Sequence, residues 1–81
     1  MRTINKAIRG RVDEIALYQI NIFNFLHVAG QIGDNREYQQ FKNELQARAD
    51  SEAHEMRKAQ MVLVALRAQR AAAPWWKRAL V

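Results

Sequence analysis

The chain has no cysteine, one proline and three glycines. Without thiols there is no disulfide framework and no thiolate metal site, so nothing covalent can staple a small core. So few backbone breakers leave the chain free to run as helix up to Gly30–Gly33, and again from there to Pro74. Also missing is any apolar run long enough to cross a bilayer. The start, Met1-Arg2-Thr3-Ile4-Asn5-Lys6, passes into Arg9, Arg11, Asp13 and Glu14 without the apolar block of a secretory signal. Its Arg-rich amphipathic character is shared with mitochondrial presequences, but serine is nearly absent and the pattern continues unbroken into the next segment. The expectation is a chain with neither signal peptide nor transmembrane helix, cytoplasmic or held within a macromolecular assembly.

Acidic residues are missing from both ends. The last 26 residues, Met56 to Val81, hold Arg57, Lys58, Arg67, Arg70, Lys77 and Arg78 but no Asp or Glu. The first twelve hold Arg2, Lys6, Arg9 and Arg11, again without an acid, so all eight acidic residues fall between Asp13 and Glu55. If the chain doubles back, both basic segments meet at one end and form a cationic pole tipped by Pro74-Trp75-Trp76-Lys77-Arg78. Such a pole is a contact surface for something anionic, apolar or both.

Helical periodicity dominates what lies between. Ile4, Ile8, Ile15, Ile22 and Ala29 form one row, with Val12, Tyr18, Phe25, Leu26 and Ile32 beside it. Leu17, Ile20, Phe23 and Val28 lie on the far flank, so a single partner helix cannot cover both sides. Gly30 and Gly33 predict the break, and Asp34 with Glu37 three residues on reads as the cap of a second helix. That helix carries Tyr38, Phe41, Leu45, Ala49, Ala53, Met56, Ala59, Leu63 and Leu66 on one side, and Met61 to Leu66 is apolar on every face. Asp50 or Ser51 could cap an internal break, which would make three helices.

The fold expected is therefore all-α: a single antiparallel helical hairpin over residues 1–81. Its helices span about 3–31 and 35–73, with a turn at 30–35 and a tail over 74–81. A domain of 81 residues has a small core. Closing the hairpin at Gly30–Asp34 would set Leu63 opposite Ile4, and Phe23 and Phe25 opposite Tyr38 and Phe41. Two apolar girdles at different heights would be left for another subunit to cover. The oligomer interface expected is Leu17, Ile20, Phe23, Met61, Val62 and Val64. Secreted helical hairpins of this size, the WXG-type proteins and the type III needle subunits, are similar in size and shape alone, because the Trp-x-Gly turn of the first and the proline turn of the second are missing.

No catalytic constellation accompanies this frame. His54-Glu55-Met56-Arg57-Lys58 begins like H-E-x-x-H, but Lys58 stands where the second imidazole must be, and an ammonium repels a metal. Asp50 and His54, one turn apart, make two ligands and not a site. Gly30-Gln31-Ile32-Gly33 matches the GxxG of KH domains, but no strand pattern surrounds it and neither middle residue is basic. Ser51 and Thr3 are the only hydroxyls of their kind and neither has a triad at recognisable spacing, while His27 reads as an interface or surface histidine. The reading is of a protein that is not an enzyme and takes no metal, cofactor or small-molecule substrate.

What remains is the basic end, which reads either as a solvated surface, its cations near Arg67 and Arg70 offsetting the dipole of the second helix and its tryptophans packed locally, or as a contact. The partner-binding residues expected are Trp75, Trp76, Lys77 and Arg78 with Arg67, Arg70, Arg2, Lys6, Arg9 and Arg11. Docking of the tail into a groove on a neighbouring subunit gives an assembly or adaptor subunit. Phosphate contacts by the cations and base stacking by a tryptophan would instead give a nucleic-acid-binding accessory protein. Tryptophans at headgroup level beside Lys77 and Arg78 would give a membrane-surface binder.

Overall fold

Two rows of residues, each repeating every seven positions, organise the first half of the chain: Ile8, Ile15, Ile22, Ala29 and Ile4, Arg11, Tyr18, Phe25, Ile32. A seven-residue repeat keeps both rows on one side of a helix, as in a coiled-coil seam. In the computed structural model, which describes residues 2–73, the chain forms α1 over Arg2–Ile32, a 3-10 turn over Arg36–Tyr38 and α2 over Gln39–Ala72. There is no strand among the described residues. The chain is all-α.

Every residue of both rows is at least partly shielded, while its neighbours on the outer face are exposed. The helix needs that contact. Ile15, Ile20, Ile22, Phe23, Phe25 and Val28 are β-branched or aromatic, which lowers intrinsic helix propensity, so packing along the seam has to supply what propensity does not. α2 is the reverse case, rich in Ala, Gln, Arg, Glu and Lys, and is a good helix former on its own composition. It runs unbroken through Asp50 and Ser51, so the internal cap considered there does not form.

The two helices pack along their lengths into a rod of 61 × 14 × 13 Å. Asn5, Ile8 and Arg9 of α1 line one hollow with Arg70 of α2, and the charges of Glu55 and Glu52 reach the Tyr18 hydroxyl. The beginning of α1 therefore lies beside the end of α2. Buried residues are Ala29, Leu45, Ala49, Ala59 and Leu63. Three of these five are alanines, small enough to let the backbones approach, and the bulkier isoleucines of the two α1 rows stay half-buried with Phe25.

The connection is longer than the spacing of the glycines suggests. Gly30 lies inside α1, and the residue that ends the helix is Gly33, at φ 57°, a left-handed conformation that glycine adopts without strain. Its N–H donates to the Ala29 carbonyl at 3.3 Å and that of Asn35 to Ile32 at 3.2 Å. Asn35, and not Asp34, supplies the cap: its side-chain oxygen accepts from Glu37 N–H at 3.1 Å, opening the 3-10 turn. α2 thus begins at Gln39 instead of near residue 35. Those extra residues move the start of α2 along the chain. They also leave Tyr38 and Phe41 on the outside, 51% and 48% exposed, where the apolar pattern alone placed them in the core. Val12 and Leu26, expected beside the main row, are likewise exposed.

No basic residue stands in the last turn of α1 to offset its dipole. The charge comes from α2: Lys42 Nζ donates to the Gly33 carbonyl at 2.9 Å, and Gln39 Nε2 donates to the carbonyls of Gly33 and Asn35, both at 2.9 Å.

A Cβ at Gly33 would meet only the Gly30 carbonyl at 3.9 Å, so the cost of substitution is backbone strain and not crowding. Gly33→Ala should cost about 1–2 kcal/mol, lowering Tm by roughly 4–8 °C or more for a domain of this size. Gly10, exposed within α1 with open space around its Cβ position, should behave oppositely: Gly10→Ala should stabilise by about 0.5–1 kcal/mol. Thermal melts at one protein concentration check both, and equal shifts would contradict the assignment of Gly33 as the helix stop.

Candidate interaction surface

Several large apolar side chains among the described residues lie outside the seam. On α1, Leu17, Ile20 and Phe23 follow one another at intervals of three residues, which places them on one face, and they are 61%, 55% and 66% exposed. The Phe23 ring stacks on His27 with centroids 5.7 Å apart, and His27 Nε2 lies 3.5 Å from Gln31 Nε2. On α2, Met61 and Val64 are 73% and 67% exposed and border a shallow hollow with Arg57 and Gln60, while Val62 is less open. The six residues expected at an oligomer interface thus fall into two patches, one on each helix. Scattered single apolar residues on a surface are ordinary, but contiguous ones mark contact sites.

One signal in the α1 patch is independent of exposure. Between Ile15 and Gly33 there is no Asp, Glu, Lys or Arg. Nearly the whole second half of α1 is uncharged, outer face included.

The basic pole is assembled from both helices. Lys6 and Arg9 are exposed near the start of α1, Arg67 and Arg70 near the end of α2, and Arg9 and Arg70 border the same hollow. In that neighbourhood the side-chain oxygen of Asn5 is shielded from solvent without a hydrogen-bond partner, a detail that spacing does not reveal. Arg11 is placed differently from the other cations. It is half-buried and its Nη1 donates to Glu14 Oε2 at 2.8 Å, so its charge is matched within its own helix. The side chain of Arg2 and the tail residues Trp75, Trp76, Lys77 and Arg78 lie outside the described residues.

Glu14 has a second partner, the Tyr18 hydroxyl, which donates to Oε1 at 3.0 Å. The Arg11 guanidinium, and after it the Tyr18 hydroxyl, hold the Glu14 carboxyl below its ordinary range. Tyr18 is pushed up in turn, first by its bond to Glu14, then by partial burial and by the charges of Glu14, Glu55 and Glu52. His54, Glu55 and Lys58 are surface residues, Lys58 donating to Glu55 at 3.2 Å. Among the described residues no group of three His, Asp or Glu side chains could hold a metal ion, and no helix is long and apolar enough to cross a membrane.

Comparison of the chain with known protein families, with curated proteins and with solved structures finds no match in any of the three.

Because the Glu14 pKa is lowered on folding, its contribution to stability is present above the unfolded carboxylate range and is lost as pH falls through the folded value. Tyr18, raised on folding, contributes below the ordinary phenol range and loses that contribution in alkali. An NMR titration of the Glu14 carboxyl should show it moving up in Arg11→Gln and, by less, in Tyr18→Phe. A Glu14 that titrates identically in all three proteins would break the triad.

Proposed function

We propose that this protein is a non-enzymatic assembly or adaptor subunit. It is an antiparallel helical hairpin that self-associates through the apolar outer faces of its helices and docks its basic, tryptophan-containing C-terminal tail on a neighbour. The observation that carries this reading is the mismatch between core and surface. Among the described residues five small or medium side chains are buried, while Leu17, Ile20, Phe23, Met61 and Val64 are each more than half exposed. A two-helix domain of this length gains little from its own core, rarely more than about 3–5 kcal/mol, and burial of those five residues against another subunit is the nearest source of more. The meeting of Lys6, Arg9, Arg67 and Arg70 at one end, where the tail leaves α2, supports placing the second contact there.

That same gathering of exposed cations favours one other reading, a nucleic-acid-binding accessory protein in which they neutralise phosphates and Trp75 or Trp76 stacks on a base. The two separate by salt. Phosphate contacts weaken steeply as salt rises, and apolar docking does not.

Size-exclusion chromatography with light scattering should find a discrete oligomer of the 9.4 kDa chain that persists in high salt. A version ending at Ala73 should lose mass if the tail is an inter-subunit clasp. A folded monomer in every condition would end the assembly reading. Tryptophan quenching by an oligonucleotide, abolished by salt, would then speak for nucleic acid.

A further inference from the structure

Part of the outward face of α1 has no explanation within the chain. A folded domain normally carries charge on about a quarter to a third of its surface residues, and α2 has a charged residue in every turn from Lys42 to Lys58. α1 has none over the nineteen residues from Ile15 to Gly33, although Leu17, Ile20, Phe23, Asn24 and His27 are exposed there. Gly30 is the second unexplained feature. It lies within the helix, exposed, and a Cβ on it would meet nothing within 4 Å. Neither the turn nor any neighbour in the chain requires a glycine, and a glycine at such a position weakens the helix.

One arrangement accounts for both. The outward positions of this stretch map onto themselves when the helix is reversed about a point between Phe23 and Asn24. Under that reversal Leu17 meets Gly30, Ile20 meets His27, and Phe23 meets Asn24. Large side chains face smaller or flatter ones, and the open space above Gly30 receives Leu17. We propose that the occupant is a second copy of this chain, its α1 packed antiparallel on the first across a two-fold axis between Phe23 and Asn24.

Charge favours the same partner and the same direction. An uncharged face offers nothing to an acidic or basic ligand, whereas a second copy brings an equally uncharged one. Each chain carries net charge +5, with Lys6, Arg9, Arg67 and Arg70 toward one end of a rod 61 Å long. Antiparallel pairing puts those poles at opposite ends, far beyond the roughly 8 Å screening length of physiological salt. Parallel pairing would stack them. The proposal rests on the assembly reading above and names its contact.

The absence of cysteine makes single-cysteine variants clean probes. With a short bismaleimide, Asn24→Cys should cross-link to itself. Leu17→Cys should not, since in this arrangement its two copies lie about 20 Å apart along the helix axes, but a mixture of Leu17→Cys and Gln31→Cys should give a heterodimer. Gly30→Leu should halve the solution mass while Gly10→Leu, outside the uncharged stretch, keeps it; circular dichroism shows whether each has folded, and if Gly30→Leu has not, the cross-linking pattern decides. Self-cross-linking of Leu17→Cys, or an oligomer untouched by Gly30→Leu and lost in Met61→Glu, would overturn this contact and leave the assembly reading standing. A native chain that is monomeric by light scattering would overturn both.

Discussion

Two helices lying side by side share one seam, and a seam of seven-residue period admits two side chains per helix in each repeat. That limit governs this molecule. The seam is narrow because Ala29, Ala49 and Ala59 occupy it, which brings the helices close and leaves little apolar area between them. Fully burying an aliphatic side chain is worth about 1.5–3 kcal/mol, and among the described residues only Leu45 and Leu63 of the large ones approach full burial. Against that stands the conformational entropy of ordering two long helices, about 1–2 kcal/mol per residue for the backbone alone. The seam by itself offers the two helices little apolar burial. Whatever further burial they obtain has to come from side chains that already point away from the seam.

The turn converts this narrow seam into a defined register. Gly33 stops α1, Asn35 opens the 3-10 turn, and Lys42 and Gln39 reach back from α2 to the carbonyls of Gly33 and Asn35 just beyond it. Lys42 does two things at once. Its ammonium supplies the positive charge that the last turn of α1 lacks, and its stem lies at a position continuing the α2 seam row of Ala49, Met56 and Leu63. Capping and helix packing are thereby coupled through one side chain, so a change in the turn propagates along the whole rod as a change in which residues stand level.

Much of this was legible in the residues. The isoleucine row of α1 and the Leu45, Ala49, Ala59 and Leu63 positions of α2 follow from periodicity, because a heptad pattern has a single way to lie on a helix. The boundaries were less legible for a plain reason: Gly30 and Gly33 are both competent helix stops, and Asp34 and Asn35 both competent caps. Which of each pair acts depends on how far α2 must climb before Lys42 and Gln39 meet the end of α1. Tyr38 and Phe41 were misplaced by the same few residues, since an apolar side chain signals the core only if its register is right. The pairing of Arg11 with Glu14 was open to inspection as an i, i+3 contact but was masked by grouping Arg11 with the other cations near the start. The uncharged stretch from Ile15 to Gly33 was visible throughout. What singles it out is that most of its residues prove to be exposed.

Along the rod, the exposed apolar surface of α1 and the basic surface are separated. The uncharged half of α1 lies toward the turn, and the cations Lys6, Arg9, Arg67 and Arg70 lie toward the open end. A contact made at the first depends on apolar area and on shape, with Asn24 near the proposed axis acting as the polar residue that makes other registers costly. A contact made at the second depends on charge and is screened by salt. Because the two are tens of ångströms apart on a rod of 61 Å, each can form without the other. In an antiparallel pair the basic poles face outward at both ends. Such a unit can hold two partners at fixed separation, or be extended end to end through its tails. That is the physical sense in which the proposed pair could serve as a part of something larger.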